Sequence, residues 1–405
     1  VADGGVTLRH RAREIPVALR VAILYLLARL ITTGFIALAA GLSGPASRFG
    51  ADATVSELLM GWDAQWYWSI VTQGYPTDLP VDLAGDVQQN QWAFMPVYPV
   101  LANLVGLPLG SYAAGAFLVP VVAGYLACLV LYRLLRDRLD ETATMWAVLL
   151  FAAGPLAAMF HLGYAEALFL LWLFLALRCL QRRRFGWLYL LIPLMGYTRP
   201  GVLAFALLLG LYGIWRWFRR RRDPLPVREI VHIIALGLIA VIVGFSWQVI
   251  AGIVTGDMSA YLDTELSWRR GWLSAEESGF VPFAGFVQAA GMWFRLWGMP
   301  SALGYAALAV CVGAVAWLLL SERHVRRLGV VVRLWSASYI VYLLAVFFPQ
   351  SSIFRLLLPL SPLYGALAAP RSTWWRVAML VLGLAGQWWW IYSMLAQGNA
   401  YTQIP

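Results

Sequence analysis

Long apolar runs alternate with short polar breaks along the whole chain, and this alternation sets the predicted architecture. Eleven runs, at 17–42, 113–135, 143–160, 163–180, 185–198, 200–218, 229–254, 302–320, 329–348, 354–370 and 375–395, read as helices that cross a bilayer, a task that takes about 20 apolar residues each. The pattern predicts an all-α polytopic membrane protein of about 10–12 transmembrane helices, with residues 1–405 forming one membrane domain. The first run follows Arg9, Arg11, Arg13 and Arg20 and many spans come after it, so it reads as helix one rather than as a cleavable leader. No internal repeat is visible.

The polar breaks fall into two kinds. Arginine clusters at 9–20, 133–138, 178–184, 216–222, 323–327 and 371–376 all land on one face if eleven runs cross, and the positive-inside rule makes that face, with the N-terminus, cytoplasmic. Two long connections, 43–112 and 255–301, then lie outside. The first carries Asp52, Glu57, Asp63, Asp78, Asp82 and Asp86 against Arg48, and the second carries Asp257, Asp263, Glu265, Glu276 and Glu277 with Arg269, Arg270 and Arg295. Both are rich in Trp and Tyr, which favour the headgroup layer, so interfacial helices are expected in each. Pro96, Pro99 and Pro108 break the apolar stretch 93–110, which is expected to dip or lie flat. Pro193 and the turn Thr198-Arg199-Pro200-Gly201 interrupt another pair of runs. Broken backbone at membrane depth is tolerated where it lines a cavity, which places Arg199 beside one on the outer side.

Composition agrees. Hydrophobic residues make up 61% of the chain and charged residues 12%, with a mean hydropathy of +0.71, whereas soluble domains are about a quarter charged. The net charge of +10 resides mostly in arginines at the ends of apolar runs, a pattern of membrane orientation that excludes nucleic acid as a partner. Three scattered cysteines and four scattered histidines give no metal-site spacing and no disulfide framework.

Three constellations carry candidate chemistry. Trp62-Asp63-Ala64-Gln65-Trp66-Tyr67-Trp68 puts Asp63 and Tyr67 on one helix face. A carboxylate walled by indoles suits a general base acting on a sugar hydroxyl; an acid that merely begins an interfacial helix fits the same residues. His161, Tyr164 and Glu166 stand at an outer hinge between two runs. There Glu166 is either a helix-start charge or an intramembrane acid with a function. Arg199 and Arg355 lie on the outer side, against the positive-inside trend. Each is served equally by a substrate phosphate or by a structural ion pair with Glu166 or a loop carboxylate. No glycine-rich phosphate loop occurs, so a soluble sugar nucleotide is a poor donor.

The ordered segments Trp62-Asp-Ala-Gln-Trp-Tyr-Trp-Ser-Ile-Val-Thr-Gln-Gly-Tyr75, Phe94-Met-Pro-Val-Tyr-Pro99, Gly163-Tyr-Ala-Glu166 and Thr198-Arg-Pro-Gly201 resemble the bacterial branch of the PIG-V mannosyltransferases. These belong to the GT-C glycosyltransferases, which take sugars from polyprenyl-phosphate carriers. Beyond residue 220 the resemblance is general topology plus 351–359. It implies a GT-C-type fold in a bacterial plasma membrane, with the active site extracytoplasmic. It also implies inverting transfer of mannose from polyprenyl-phosphate-mannose to a glycolipid or glycan acceptor. Asp63 is then the catalytic base, and Tyr164, Glu166 and Arg199 line the site. On this reading Arg199 and Arg355 hold the lipid phosphate, and Trp62, Gln65, Trp66, Tyr67, Tyr98 and His161 complete the sugar and acceptor pocket. No obligatory metal is expected, although Asp82 and Asp86 keep a divalent ion open. A transporter or flippase of lipid-linked sugars would share the arginines and aromatic loops, but it needs a polar path across the membrane, and the apolar runs carry few interior charges.

Overall fold

The computed structural model describes residues 15–273, 279–399 and 403–405. Arg9, Arg11, Arg13, Glu276 and Glu277 lie outside the described residues. The apolar runs become helices α1 (Val17–Gly41), α5 (Tyr112–Arg136), α6 (Glu141–Ala152), α7 (Glu166–Gln181), α8 (Leu188–Gly196), α9 (Val202–Arg219), α10 (Val227–Thr255), α13 (Ser301–Ser321), α15 (Val330–Val346) and α18 (Thr373–Trp390). The first outer connection holds α2 (Val55–Met60), α3 (Asp63–Gln73) and α4 (Val97–Gly106); the second holds α11 (Ala260–Arg270) and α12 (Ala284–Leu296). Among the described residues, the short helices α14 (Arg323–Arg327), α16 (Ile353–Leu356) and α17 (Tyr364–Ala368) complete the set. Beyond a single bridge between Val81 and Val87, no β-structure occurs among the described residues.

Among the described residues, six elements are long and apolar enough to span a membrane: α1, α5, α9, α10, α13, and α18 continued by a π turn to Ala396. The other expected crossings are shorter or broken, for local reasons. The run at 143–160 forms α6, about 18 Å long at 1.5 Å per residue, and stops at Ala152. Gly154 and Pro155 follow, and the residue before a proline is pushed out of the helical region. The run at 354–370 divides into α16, a 3-10 stretch at Leu358–Leu363 and α17, because Pro359 and Pro362 remove backbone donors there. The run at 163–180 begins its helix only at Glu166.

The centre belongs to α7, whose Phe169, Leu170, Leu173, Phe174 and Leu177 are all buried, as expected of a helix apolar on every side. Against the first loop, α5 packs at backbone contact: a Cβ on Gly115 would lie 1.9 Å from the Ala102 carbonyl oxygen. Outward-facing positions are apolar instead, with Ile234, Leu238 and Ile242 of α10 and Val310, Trp317 and Leu320 of α13 exposed. Contiguous apolar surface of this kind belongs in lipid rather than water. The chain is an all-helical, multi-pass membrane protein.

Its two ends differ in charge. At one end Arg20 pairs with Glu141 at 2.5 Å, Arg182 pairs with Asp137 at 2.5 Å, and Arg183 pairs with Asp223. Arg178 donates to the Arg133 carbonyl, Arg138 packs against Gly329, and Arg376 Nε donates to the Ala368 carbonyl at 2.9 Å. The arginine clusters thus share one end. The connections bearing α2–α4 and α11–α12 lie at the other, because α1 and α10 leave the arginine end and deliver the chain to them.

Candidate active site

Two carboxylates are placed by helix starts. Asp63 opens α3 directly after Trp62, which adopts a left-handed φ of +53°, an uncommon conformation for a bulky side chain. Glu166 opens α7. The partial positive charge of a helix N-terminus favours an acid at either position. Their segments are joined by a backbone bond from the Gly163 N–H to the Leu59 carbonyl at 3.0 Å. A side chain at 163 would meet the Ala64 methyl at 3.0 Å and the Met60 sulfur at 3.3 Å, so glycine lets the hinge lie against α3.

Two arginines come from elsewhere in the chain. Arg355 on α16 pairs with Asp63 and reaches Glu166 at 3.4 Å, while Arg199 pairs with Glu166 at 2.9 Å. The Glu166 side chain is 3% exposed, both arginines 13%, and Asp63 20%. Arg355 is held from behind, since Tyr339 Oη donates to the Leu356 carbonyl and Trp335 Nε1 to the Pro359 carbonyl, each at 2.8 Å. Arg199 is held by a backbone bond from the Val97 N–H to the Tyr197 carbonyl at 3.0 Å, which fastens α4 to the hinge. Four side chains from four separate segments therefore form one ion cluster whose formal charges cancel.

Aromatic rings enclose it. The Tyr164 ring lies under the Arg355 guanidinium at 5.5 Å. Tyr67 meets Tyr98 edge-on at 4.8 Å and Phe94 at 5.2 Å, and its phenol is pushed well above its usual value by burial, so it is a neutral hydroxyl. Trp66 stacks on Phe94 at 6.0 Å. Two buried donors here have no hydrogen-bond partner, Arg355 Nε and the Tyr164 hydroxyl. Buried polar groups are nearly always satisfied, and these two stand beside the ion cluster without a protein acceptor.

Not every residue singled out in the sequence joins this cluster. His161 belongs to a different group, with Arg29 on one ring nitrogen at 2.9 Å and Thr33 on the other at 3.0 Å. Arg29 also serves the Ala157 carbonyl at 2.6 Å and the Ala152 carbonyl, so this group closes the broken end of α6. Gln65 is exposed and accepts from Arg48 at 3.3 Å. It is two residues from Asp63, hence on another face. Tyr98 is fully buried behind Tyr67, donating to the Ala116 carbonyl at 2.9 Å. Trp62 carries Arg48 over its ring at 4.0 Å. Asp82 accepts from the Ala84 and Asp86 backbone N–H groups at 2.9 and 3.0 Å and closes a turn; Asp86 lies 3.9 Å from Arg270. Among the described residues no three His, Cys, Asp or Glu side chains group as metal ligands would.

One wall was not singled out in the sequence. Helix α11 lays Trp268 edge-on against Trp66 at 6.2 Å and Phe94 at 6.0 Å. It also brings Glu265, half-buried, within electrostatic reach of Asp63. The sequence offered one signal, a carboxylate three residues before a tryptophan in an outer loop, and several other loop acids share that description.

The sequence matches no family model, and no curated protein is similar to it. Among solved structures, the chain is similar to the archaeal oligosaccharyltransferase AglB from Archaeoglobus fulgidus in complex with an inhibitory peptide and a dolichol-phosphate. That match has 16% identity, covers 94% of this chain and 56% of that one, and gives a TM-score of 0.46. It is similar also to the Archaeoglobus fulgidus oligosaccharyltransferase tethered with an acceptor peptide, at 16% identity over the same 94% and 56%, with a TM-score of 0.44. This chain spans about half the length of those proteins.

Proposed function

We propose that the protein is a GT-C-type glycosyltransferase of the bacterial plasma membrane. On this reading it transfers mannose from polyprenyl-phosphate-mannose to a glycolipid or glycan on the extracytoplasmic face, with inversion. The observation that carries this reading is the Asp63–Arg355–Glu166–Arg199 cluster, set opposite the arginine-rich end, walled by aromatic rings and with the Arg355 Nε and Tyr164 hydroxyl unpartnered. Aromatic faces suit sugar rings, and paired guanidiniums suit a phosphodiester.

In the proposed reaction the donor phosphate takes Arg355 from Asp63. The unpartnered Arg355 Nε offers the phosphate a donor that no carboxylate occupies, and Glu166 keeps Arg199 in place. Asp63, released, accepts the proton of the acceptor hydroxyl as that oxygen attacks the anomeric carbon. The bond from that carbon to the phosphate oxygen breaks on the opposite face, and its electron pair leaves on the polyprenyl phosphate. One base and a stabilised leaving group suffice for inversion; the pair of carboxylates flanking the bond in glycosidases is not needed. The guanidiniums act in a partly water-excluded site, where they are worth more than in bulk water. No divalent metal is required on this reading.

The test uses purified protein, polyprenyl-phosphate-mannose and a membrane lipid extract, with Asp63→Asn alongside. Mannosylated product from the wild type and about 10²- to 10⁴-fold less from the variant is the expected result; equal transfer by the two would overturn the assignment of the base.

A further inference from the structure

Between α9 and α10 lies a groove of about 820 Å³, within the range of about 300–1,000 Å³ that holds whole small molecules. Glycine gives it depth. A Cβ built on Gly210 or Gly237 would meet nothing within 4 Å, so the floor is open space. Ile214, Ile234 and Leu238 wall it, each more than half exposed. On α9 the groove runs from Ala206 to Phe218, about 18 Å at 1.5 Å per residue, and ends at the arginine-rich foot of the helix. One leaflet's share of a roughly 30 Å hydrocarbon core is about 15 Å. The groove is therefore as deep as the acyl region of the leaflet at that end.

Its foot carries charge that the protein leaves uncompensated. The carboxylates there are taken, Glu229 by Arg216 at 2.8 Å and Asp223 by Arg216 and Arg183. Arg219, Arg220, Arg221 and Arg222 are all exposed, and among the described residues none of the four has an ion-pair partner. Trp217 lines the groove, and Arg220 is fixed on it: the guanidinium lies over the indole at 3.8 Å, and Nη1 donates to the Trp217 carbonyl at 2.8 Å. Tryptophan at this level marks the headgroup layer, and a guanidinium held there presents its remaining N–H donors to a phosphate.

We propose that this groove is a binding site for an anionic phospholipid of the leaflet at the arginine-rich end. Its acyl chain fills the space over Gly210 and Gly237, and its headgroup phosphate rests on Arg220, with Arg221 and Arg222 adding attraction. Buried methylenes supply the affinity, and the arginines supply the preference for a negative head. Such a site stands apart from the outer ion cluster and is independent of the reaction proposed there.

Native mass spectrometry of the delipidated protein, titrated with phosphatidylglycerol and separately with phosphatidylcholine, tests this. Phosphatidylglycerol is expected to fill one site about tenfold more tightly than phosphatidylcholine, or better. Gly237→Leu puts a side chain where the acyl chain lies and lowers that affinity by about tenfold or more, as buried methylenes are displaced. Gly210→Leu does the same and serves should the first variant fail to fold. Arg220→Gln lowers it by about fivefold, whereas Arg371→Gln, in the turn before α18, leaves it within about twofold. Equal affinity for the two lipids would overturn the site, as would wild-type affinity in both leucine variants. An equal loss in Arg371→Gln and Arg220→Gln would also overturn it, because loose attraction to any arginine of that end gives that result. Displacement of phosphatidylglycerol by uncharged polyprenol would make the groove a prenyl-chain site and refute the phospholipid.

Discussion

Two ion clusters of the same composition, two arginines and two carboxylates each, sit at opposite ends of the molecule. At the arginine-rich end Arg216, fully buried, gives Nε to Glu229 at 2.8 Å, one terminal nitrogen to Asp223 and the other to the Pro224 carbonyl at 2.9 Å, while Arg183 completes the group on Asp223. All three guanidinium nitrogens of Arg216 are used, by partners 7 to 13 residues away. At the outer end Arg355 reaches partners 292 and 189 residues distant and leaves a buried Nε–H unused. Charge content does not separate the two. Satisfaction does: the first is a closed clamp between α9 and α10, and the second leaves the Arg355 Nε–H without a protein partner.

The largest effect expected from breaking this contrast is on the outer side. Asp63→Asn lowers transfer by about 10²- to 10⁴-fold, the range of a lost general base, measured as mannosylated product per minute. Arg355→Gln follows, with a loss of about 10²- to 10³-fold in kcat/KM as phosphate stabilisation goes. Substitution in the closed clamp behaves differently. Arg216→Met leaves Glu229 buried without its partner, at a cost of about 3–5 kcal/mol, seen as a lower melting temperature, while folded protein keeps its rate.

Smaller effects sharpen the picture. The Glu265 carboxyl is raised from 4.5 to about 7 in the folded protein, so the folded state holds that proton more tightly than the unfolded chain. Stability therefore falls as pH rises through that window. Glu265→Gln removes the loss, so its melting temperature at pH 8 exceeds the wild type's by roughly 1–3 °C and equals it at pH 4. Chelation is expected to change least: transfer in excess EDTA matches the untreated rate, and a loss restored by added Mg²⁺ or Mn²⁺ would contradict the metal-free reading.

Much of this was legible in the sequence, for physical reasons that vary along the chain. Apolar runs locate helices because burial in lipid dictates them residue by residue, and all eleven runs correspond to helical segments. The ends of α6 and the break after α16 followed local proline chemistry, which shortened two runs read as full crossings. Asp63, Glu166, Arg199 and Arg355 stood out as charges at the edges of apolar runs, a costly placement. Their pairing was open, and the ion pairs that emerged are those named as the alternative to phosphate. His161 looked like a pocket residue because its partner, Arg29, is 132 residues earlier and no local pattern links them. Glu265 was one loop acid among several; what distinguishes it is the anchoring of α11 by Asn90 and Gln350, distant in sequence.

The central claim is that Arg355 is shared, paired with Asp63 in this structure and taken by the lipid phosphate when donor binds. Binding of polyprenyl monophosphate to the wild type, Asp63→Asn and Arg355→Gln tests it directly. Removing the competing charge at 63 is predicted to tighten binding even as transfer falls, and Arg355→Gln to weaken it by about tenfold or more. Binding that is unchanged or weaker in Asp63→Asn, or undiminished in Arg355→Gln, would contradict the account.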